Sequence, residues 1–174
     1  MDLNHLELPS YLIADLYKKS LVEPIKKSES VYKPVLDTEF NYSNSSWKYL
    51  GVNNKNILIV VSTNEAIYLP DPELTFLTGI LGACKLSLAD VAIVNLNNHS
   101  NASYKELVSF FKSKIVFLFD VEPVAFGLPV NFPHYQVQAF VNTSFLFSPS
   151  LKELENDKLK KSKLWVCLRR LFNV

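Results

Sequence analysis

The sequence predicts an α/β fold, a three-layer α/β/α sandwich built on a central, mostly parallel four-stranded sheet. Continuous apolar runs at 57–61, 91–95 and 115–119 are typical of strands that are buried on both faces of a helix-covered parallel sheet. Segments with helical spacing and capping residues separate these runs. The chain has 174 residues, 48% hydrophobic and 20% charged, a composition that indicates a single globular unit.

We expect two regions within that unit, an N-terminal helix with an extended arm at 1–50 and the α/β domain at 51–174. Residues 10–21 place Leu12, Leu16 and Tyr17 on one apolar face, so this helix either packs on the domain or docks into a partner. The rest of the arm is loop-like and mixes aromatic residues with lysines. Such a segment drapes over the core or stacks on single-stranded bases.

The first half of the α/β domain is predicted to be a right-handed βαβ unit. A strand at 57–61 is followed by polar residues and then by a helix start at 71–73, with Asp71 as the cap and a proline and an acidic residue in the first turn. Gly79 and Gly82 suggest that this helix approaches the sheet closely. A capped turn then leads into the second strand, which ends at Asn95.

The second half is predicted to add a short helix and two strands. The helix at 103–112 turns Leu107, Phe110 and Phe111 inward, and the strand at 115–119 ends at Asp120. Prolines and a glycine break the next segment into irregular structure. Residues 135–140 alternate in polarity, which predicts a fourth strand at a sheet edge.

The last region opens at Ser148-Pro-Ser and is predicted to be helical. Ser150 with Glu153 fits a capping box, and a second helix start is possible at Asp157. Trp165 lies beside the apolar face of this helix. Basic residues, among them Arg169 and Arg170, are mostly on the other side, where they form either a solvated face or a contact with a partner.

Composition excludes several classes of protein. A net charge of +1 gives no global argument for nucleic-acid binding, and the two cysteines cannot form a four-cysteine metal or iron–sulfur site. We interpret them as buried free thiols.

The start of the chain has no secretory-signal pattern, and charged or proline residues interrupt both long apolar stretches. We therefore expect a cytoplasmic protein with no membrane span, no metal and no cofactor.

Two blocks of sequence resemble a known family. The first runs through 57–65 and 86–95, and the second covers 148–154 and 159–165, ending in Leu-Trp. Together they resemble the uracil-DNA glycosylase-like fold, and within it the psi subunits of bacterial DNA polymerase III, which are small and non-enzymatic. The resemblance covers about 57–172 and implies an α/β/α sandwich.

The resemblance also implies where an active site would lie. Active members carry a Gly-rich motif after the first strand and His-Pro-Ser after the last; this chain lacks both glycines, and Ser148 replaces the histidine. His134 precedes the fourth strand, and we interpret it as a loop residue. Without these groups the backbone cannot approach the base and the leaving base is not stabilised, so we lean towards a catalytically inactive member. The candidates for its degenerate pocket are Ser62, Thr63, Asn64, Glu65, Asp120, Phe147, Ser148, Pro149 and Ser150.

Three functions follow as hypotheses. The resemblance implies a non-enzymatic interaction subunit of the DNA replication machinery that binds clamp-loader subunits. Its candidate partner-binding residues are Leu12, Leu16, Tyr17, Arg169 and Arg170. One alternative is a glycosylase-like hydrolase that uses Glu65 or Asp120 as a base at the carboxyl ends of the strands. The other is a single-stranded nucleic-acid binder that uses Trp47, Tyr49 and the terminal basic residues.

Overall fold

A mixed α/β fold with a six-stranded sheet is seen in the computed structural model, which describes residues 47–99 and 103–174. The strand order is β1-β3-β2-β4-β6-β5. The strands are β1 (Tyr49–Gly51), β2 (Ile57–Val61), β3 (Val91–Asn95), β4 (Ile115–Phe119), β5 (Val137–Phe140) and β6 (Thr143–Ser148).

The four inner strands, β3, β2, β4 and β6, are all parallel to one another. Their registers pair Ile57 with both Val91 and Ile115, so the apolar runs lie side by side. All residues of β2 and β3 are buried, as expected for parallel strands that are covered on both faces. The predicted number of strands was nevertheless wrong, because antiparallel strands β1 and β5 extend the sheet at its two edges.

The C-terminal part of the sheet is a hairpin that the sequence prediction missed. The strand predicted at 135–140 is the antiparallel edge strand β5, and the fourth parallel strand is β6. Val141 and Asn142 connect them with φ angles of 45° and 59°. Two successive residues with positive φ form the turn that suits the twist of a hairpin, but such turns usually carry glycine. Because Val141-Asn142 contains no glycine, the sequence pattern did not indicate a turn between the two strands.

Four α-helices are described: α1 (Asp71–Ala83), α2 (Tyr104–Phe110), α3 (Leu151–Asn156) and α4 (Lys158–Phe172). The predicted second start at Asp157 is confirmed, since its carboxylate accepts hydrogen bonds from the amides of Leu159 (2.8 Å) and Lys160 (3.1 Å). The predicted cap at Asp71 was wrong, because Pro70 is the N-cap. Over 47–99 and 103–174, no helix combines the length and apolarity that a bilayer crossing requires.

Each face of the sheet packs against its own hydrophobic core. One face carries Ile59, Phe117 and Leu146 and packs against α1, α3 and α4. The other carries Val60 and Leu118 and packs against α2 and the irregular segment 121–132. Within the described residues, helices therefore cover both faces of the sheet, which is the layering that the apolar runs predict.

Two predictions about residues near the core were wrong. A Cβ atom added at Gly79 or Gly82 would meet no heavy atom within 4 Å, so these glycines do not bring α1 close to the sheet. Phe110 is 36% exposed and stands edge-on to the buried ring of Phe111. The glycine that does allow close approach is Gly51 (φ 108°), where an added Cβ would lie 2.1 Å from the carbonyl oxygen of Val91.

Candidate functional site

The carboxyl ends of β2 and β3 meet at a polar edge that is organised by Asn95. This side chain is only 1% exposed. Its amide nitrogen donates to the carbonyl oxygens of Thr63 (2.8 Å), Ala66 (3.1 Å) and Ile67 (3.3 Å). Its oxygen accepts from the backbone amides of Thr63 (3.1 Å) and Asn97 (3.2 Å). One buried amide therefore fixes the loop that follows β2.

The polar residues of that loop, residues 62–65, take part in further structural hydrogen bonds. Ser62 Oγ donates to Asn97 Oδ1 (2.9 Å), and Asn97 Nδ2 donates to Asn64 Oδ1 (2.9 Å). Thr63 Oγ1 accepts from the amide of Glu65 (3.2 Å). Three of the four predicted pocket residues in this loop thus stabilise its conformation with their side chains.

At the ends of β4 and β6 the predicted residues lie side by side but differ in exposure. Asp120 is exposed, has a φ of 56° and donates its amide to the Ser148 carbonyl (3.0 Å). Ser148 is 1% exposed, and its Oγ has no hydrogen-bond partner within the described structure. Pro149 is buried, and Ser150 Oγ accepts from the Glu153 amide (3.2 Å). The serine half of the predicted capping box is therefore confirmed.

A concavity of about 460 Å³ lies near this edge, but its lining differs from the predicted pocket. The rings of His134 and Phe147 stack there with centroids 4.1 Å apart. Asn64, Glu65, Asp120 and Ser148 are not among its lining residues, which are Glu122, Asn131, Phe132, Pro133, His134 and Phe147. His134 reaches this place because the amide of the next residue, Tyr135, donates to the Phe147 carbonyl (2.9 Å). No local sequence pattern predicts that pairing.

The charges near the strand ends are mainly negative. The pKa of Glu73, in the first turn of α1, is raised by partial burial and further by the carboxylates of Glu65, Glu155 and Asp120, whereas Lys152 opposes the shift. Neighbouring carboxylates repel additional negative charge. The electrostatic potential at this edge is therefore less favourable for phosphate groups and for negative charge on a leaving base.

Comparison with protein-family models found no match, and a search of curated proteins found none either. Across 47–99 and 103–174, no three histidine, cysteine, aspartate or glutamate residues are grouped in a way that could hold a metal ion.

The two cysteines are free thiols with structural surroundings. Cys84 is buried, as the sequence predicts, whereas Cys167 is half-buried. Burial raises the pKa of both thiols, which keeps them protonated and weakly nucleophilic at neutral pH. Cys167 also donates its S–H to the Tyr135 carbonyl oxygen at 2.9 Å. Neither thiol has the surroundings of a nucleophile.

A second surface lies between α1 and α4 and is almost entirely apolar. We call it the α1–α4 groove; its volume is about 380 Å³, and its lining residues are Phe76, Gly79, Ile80, Ala83, Lys161, Leu164, Trp165 and Leu168. The ammonium group of Lys161 lies 5.0 Å from the centroid of the Phe76 ring. Gly79, which was predicted to face the sheet, instead lines this exposed groove.

The predicted partner-binding residues divide between the described and undescribed parts of the chain. Arg169 and Arg170 are exposed in the last turn of α4, on the helix that forms one wall of the groove. Leu12, Leu16 and Tyr17 lie outside the described residues.

Proposed function

We propose that this chain is a non-enzymatic protein-binding subunit of the DNA replication machinery, similar to psi, and that its partners are clamp-loader subunits in the cytoplasm. The observation that carries the protein-binding part of the proposal is the α1–α4 groove. The resemblance of the sequence blocks at 57–95 and 148–165 to psi-type chains supports the replication part.

The groove supports protein binding because it leaves apolar surface in contact with water. Phe76, Ile80 and Trp165 are partly exposed there, while Leu164 and Leu168 are buried beneath them. Burying apolar surface contributes about 25 cal/mol per Å², and partly exposed aromatic residues are the side chains that most often anchor protein interfaces. A partner that covers the groove would gain this contribution.

The strand-end edge supports a non-enzymatic role. The side chains after β2 are engaged in hydrogen bonds that hold their own loop, and Ser150 caps α3. The carboxylates of Glu65, Glu73 and Asp120 would oppose the anion that base excision generates. This arrangement agrees with a member of the fold whose two loops have kept their structure and lost their catalytic groups.

The parallel strands β3, β2, β4 and β6, covered by helices on both faces, are compatible with a uracil-DNA glycosylase-like sandwich. In this proposal the amphipathic segment at 10–21 is a second binding element, because its apolar face, with Leu12, Leu16 and Tyr17, would dock into one partner. The domain would then hold another partner through its own surface.

The proposal is tested by mixing the purified full chain with purified clamp-loader subunits and measuring complex formation by size-exclusion chromatography and calorimetry. We expect a stable complex that is lost when residues 1–25 are deleted and that survives substitution of Glu65 or Asp120 by alanine. Absence of a complex with each clamp-loader subunit, tested singly and together, would refute the proposal.

A second candidate function is a hydrolase or nucleic-acid binder with an unusual site. It is favoured by the concavity in which His134 stacks on Phe147 near the side chains of Glu122 and Asn131, since an imidazole, a carboxylate and an amide are groups that can bind and protonate a ring. The test is cleavage of uracil-containing single-stranded DNA. Activity that disappears in His134→Ala would support this function, and activity unaffected by that substitution would exclude this concavity as its site.

A further inference from the structure

We propose that the α1–α4 groove binds an acidic amphipathic helix of the partner protein. This inference rests on the proposed protein-binding function and adds the chemistry of the segment that would be bound. Three features carry it: small residues that admit a helix backbone, apolar side chains that anchor one face of that helix, and a lysine at the lip of the groove on a strongly basic helix α4.

Small residues open one wall of the groove to a backbone. Gly79 and Ala83 are four positions apart on α1, both are exposed, and both line the groove. Residues four apart lie on the same helix face, so the two form a shallow strip without long side chains. A Cβ added at Gly79 would meet nothing within 4 Å. The space above this strip is therefore open, and a helix could pack there closely.

The apolar anchors lie along that strip. Phe76 and Ile80 come from α1 and Trp165 from α4, each partly exposed, over a floor that contains the buried Leu164 and Leu168. A groove of this kind is suited to one apolar stripe of a helix with residues at i, i+3, i+4 and i+7. Phosphodiester chains offer no such stripe, so the apolar lining favours a peptide over a nucleic acid.

The charge of α4 determines which amphipathic helix fits. Helix α4 contains four lysines and two arginines and no acidic residue. Among the described residues, only one of these six, Lys160, is in an ion pair, with Glu153 at 2.6 Å. Lys161 lies at the lip of the groove, where its ammonium group contacts the Phe76 ring. Acidic residues beside the apolar stripe of a bound helix would meet Lys161 at the lip and the net positive charge of α4 behind it, which gives complementary electrostatics.

The same charges argue against occupation by this chain's own amphipathic segment. Residues 10–21 carry Asp15 with Lys18 and Lys19, so their net charge is positive, like that of α4. Like charges across an interface are unfavourable. This charge disfavours 10–21 as the occupant, and the proposal therefore names a helix of a different protein.

The binding test uses the full chain and a synthetic helical peptide with leucines at i, i+3, i+4 and i+7 and glutamates on both flanks. A control peptide has lysines in place of the glutamates. The chain has two tryptophans, Trp47 and Trp165, so the Trp47→Phe variant leaves Trp165 in the groove as the fluorescence reporter. We expect a saturable change of Trp165 emission with the glutamate peptide, weaker binding at higher salt, and at most weak binding of the lysine peptide.

Two pairs of variants locate the site. Gly79→Leu fills the groove, whereas Gly82→Leu adds the same side chain at an equally open position of α1 that does not line it. Lys161→Glu reverses the charge at the lip, and Lys163→Glu reverses a charge near Tyr135 instead. We expect Gly79→Leu and Lys161→Glu to weaken binding by about tenfold or more, as loss of a central anchor does. The two controls should change it by less than about twofold, as expected for positions outside the contact.

Several results would overturn the inference. These are equal binding of the two peptides, tighter binding of a peptide of residues 10–21, binding of a single-stranded oligonucleotide that Gly79→Leu abolishes, or equal effects of Gly79→Leu and Gly82→Leu. The proposed function fails separately. Clamp-loader binding that is insensitive to Gly79→Leu would refute the groove as the binding site and leave the proposed function standing. Peptide binding without any clamp-loader complex would refute the proposed function and leave the groove as a binding site.

Discussion

Replacement of Asn95 by alanine should release the loop after β2 and lower the free energy of unfolding. The substitution removes three donated hydrogen bonds, at 2.8, 3.1 and 3.3 Å, and two accepted ones, at 3.1 and 3.2 Å. Each contributes about 1 kcal/mol net. Because much of the loop is exposed, water can restore part of this loss. We expect Asn95→Ala to cost about 2–4 kcal/mol.

Asn95→Asp tests the hydrogen bonds that the Asn95 side chain donates separately from those that it accepts. The carboxylate can still accept from the amides of Thr63 and Asn97, but it would face the carbonyl oxygens of Thr63, Ala66 and Ile67 without a donor. Burial and these carbonyls should raise the pKa of the new carboxyl group above its unfolded value of about 3.9. The folded state then favours the protonated form, so the variant should lose stability relative to the native chain as pH rises from 4 to 7.

The assay is urea unfolding followed by tryptophan fluorescence at several pH values. Asn64→Ala is the matched control, because Asn64 lies in the same loop, is exposed and accepts one side-chain hydrogen bond; we expect it to cost less than about 0.5 kcal/mol, as exposed surface changes do. The reasoning fails if Asn95→Ala costs no more than Asn64→Ala, or if the penalty of Asn95→Asp does not change with pH.

Three further predictions concern single features of the fold. Gly51→Ala should destabilise by more than about 2 kcal/mol in urea unfolding, because the added methyl would lie 2.1 Å from a backbone oxygen; a cost below 1 kcal/mol would contradict that geometry. The double change Val141→Asn and Asn142→Gly should raise the free energy of unfolding by about 1 kcal/mol. It places residues that tolerate positive φ at both turn positions, and Val141 loses little packing because it is 74% exposed. An unchanged free energy of unfolding would mean that the turn is unstrained. Backbone amides lower the pKa of the Asp157 carboxyl, so the stabilisation by its carboxylate should be lost as pH falls through that lowered pKa. The difference in Tm between the native chain and Asp157→Asn should therefore narrow below about pH 4. A difference that stays constant with pH would contradict the assignment.

The sequence predicted the parallel strands well because burial on both faces leaves an unbroken apolar run, as at 57–61 and 91–95. It missed the hairpin, since Val141 and Asn142 form a turn without glycine. It misplaced Gly79, because a glycine in a helix can serve either a close contact or an open surface, and the pattern is the same in both cases.

The candidate site was less predictable than the fold. Asn95 stands out in the sequence as the one polar residue at the end of the apolar run 91–95. The carbonyl groups to which it donates, however, lie about thirty positions away in sequence. Adjacency of His134 and Phe147 depends on a backbone hydrogen bond beyond the paired residues of β5 and β6. The α1–α4 groove requires two helices that are separated by most of the domain to lie together. No local pattern encodes these long-range pairings.

The central claim is that this chain is a protein-binding subunit that uses the α1–α4 groove. Its most direct test is the affinity of the full chain for purified clamp-loader subunits, measured by calorimetry for the native sequence, Gly79→Leu and Gly82→Leu. We predict tight binding by the native chain and Gly82→Leu, and binding weaker by about tenfold or more for Gly79→Leu, whose side chain fills the groove. No binding by the native chain, or equal affinity of all three proteins, would contradict the claim.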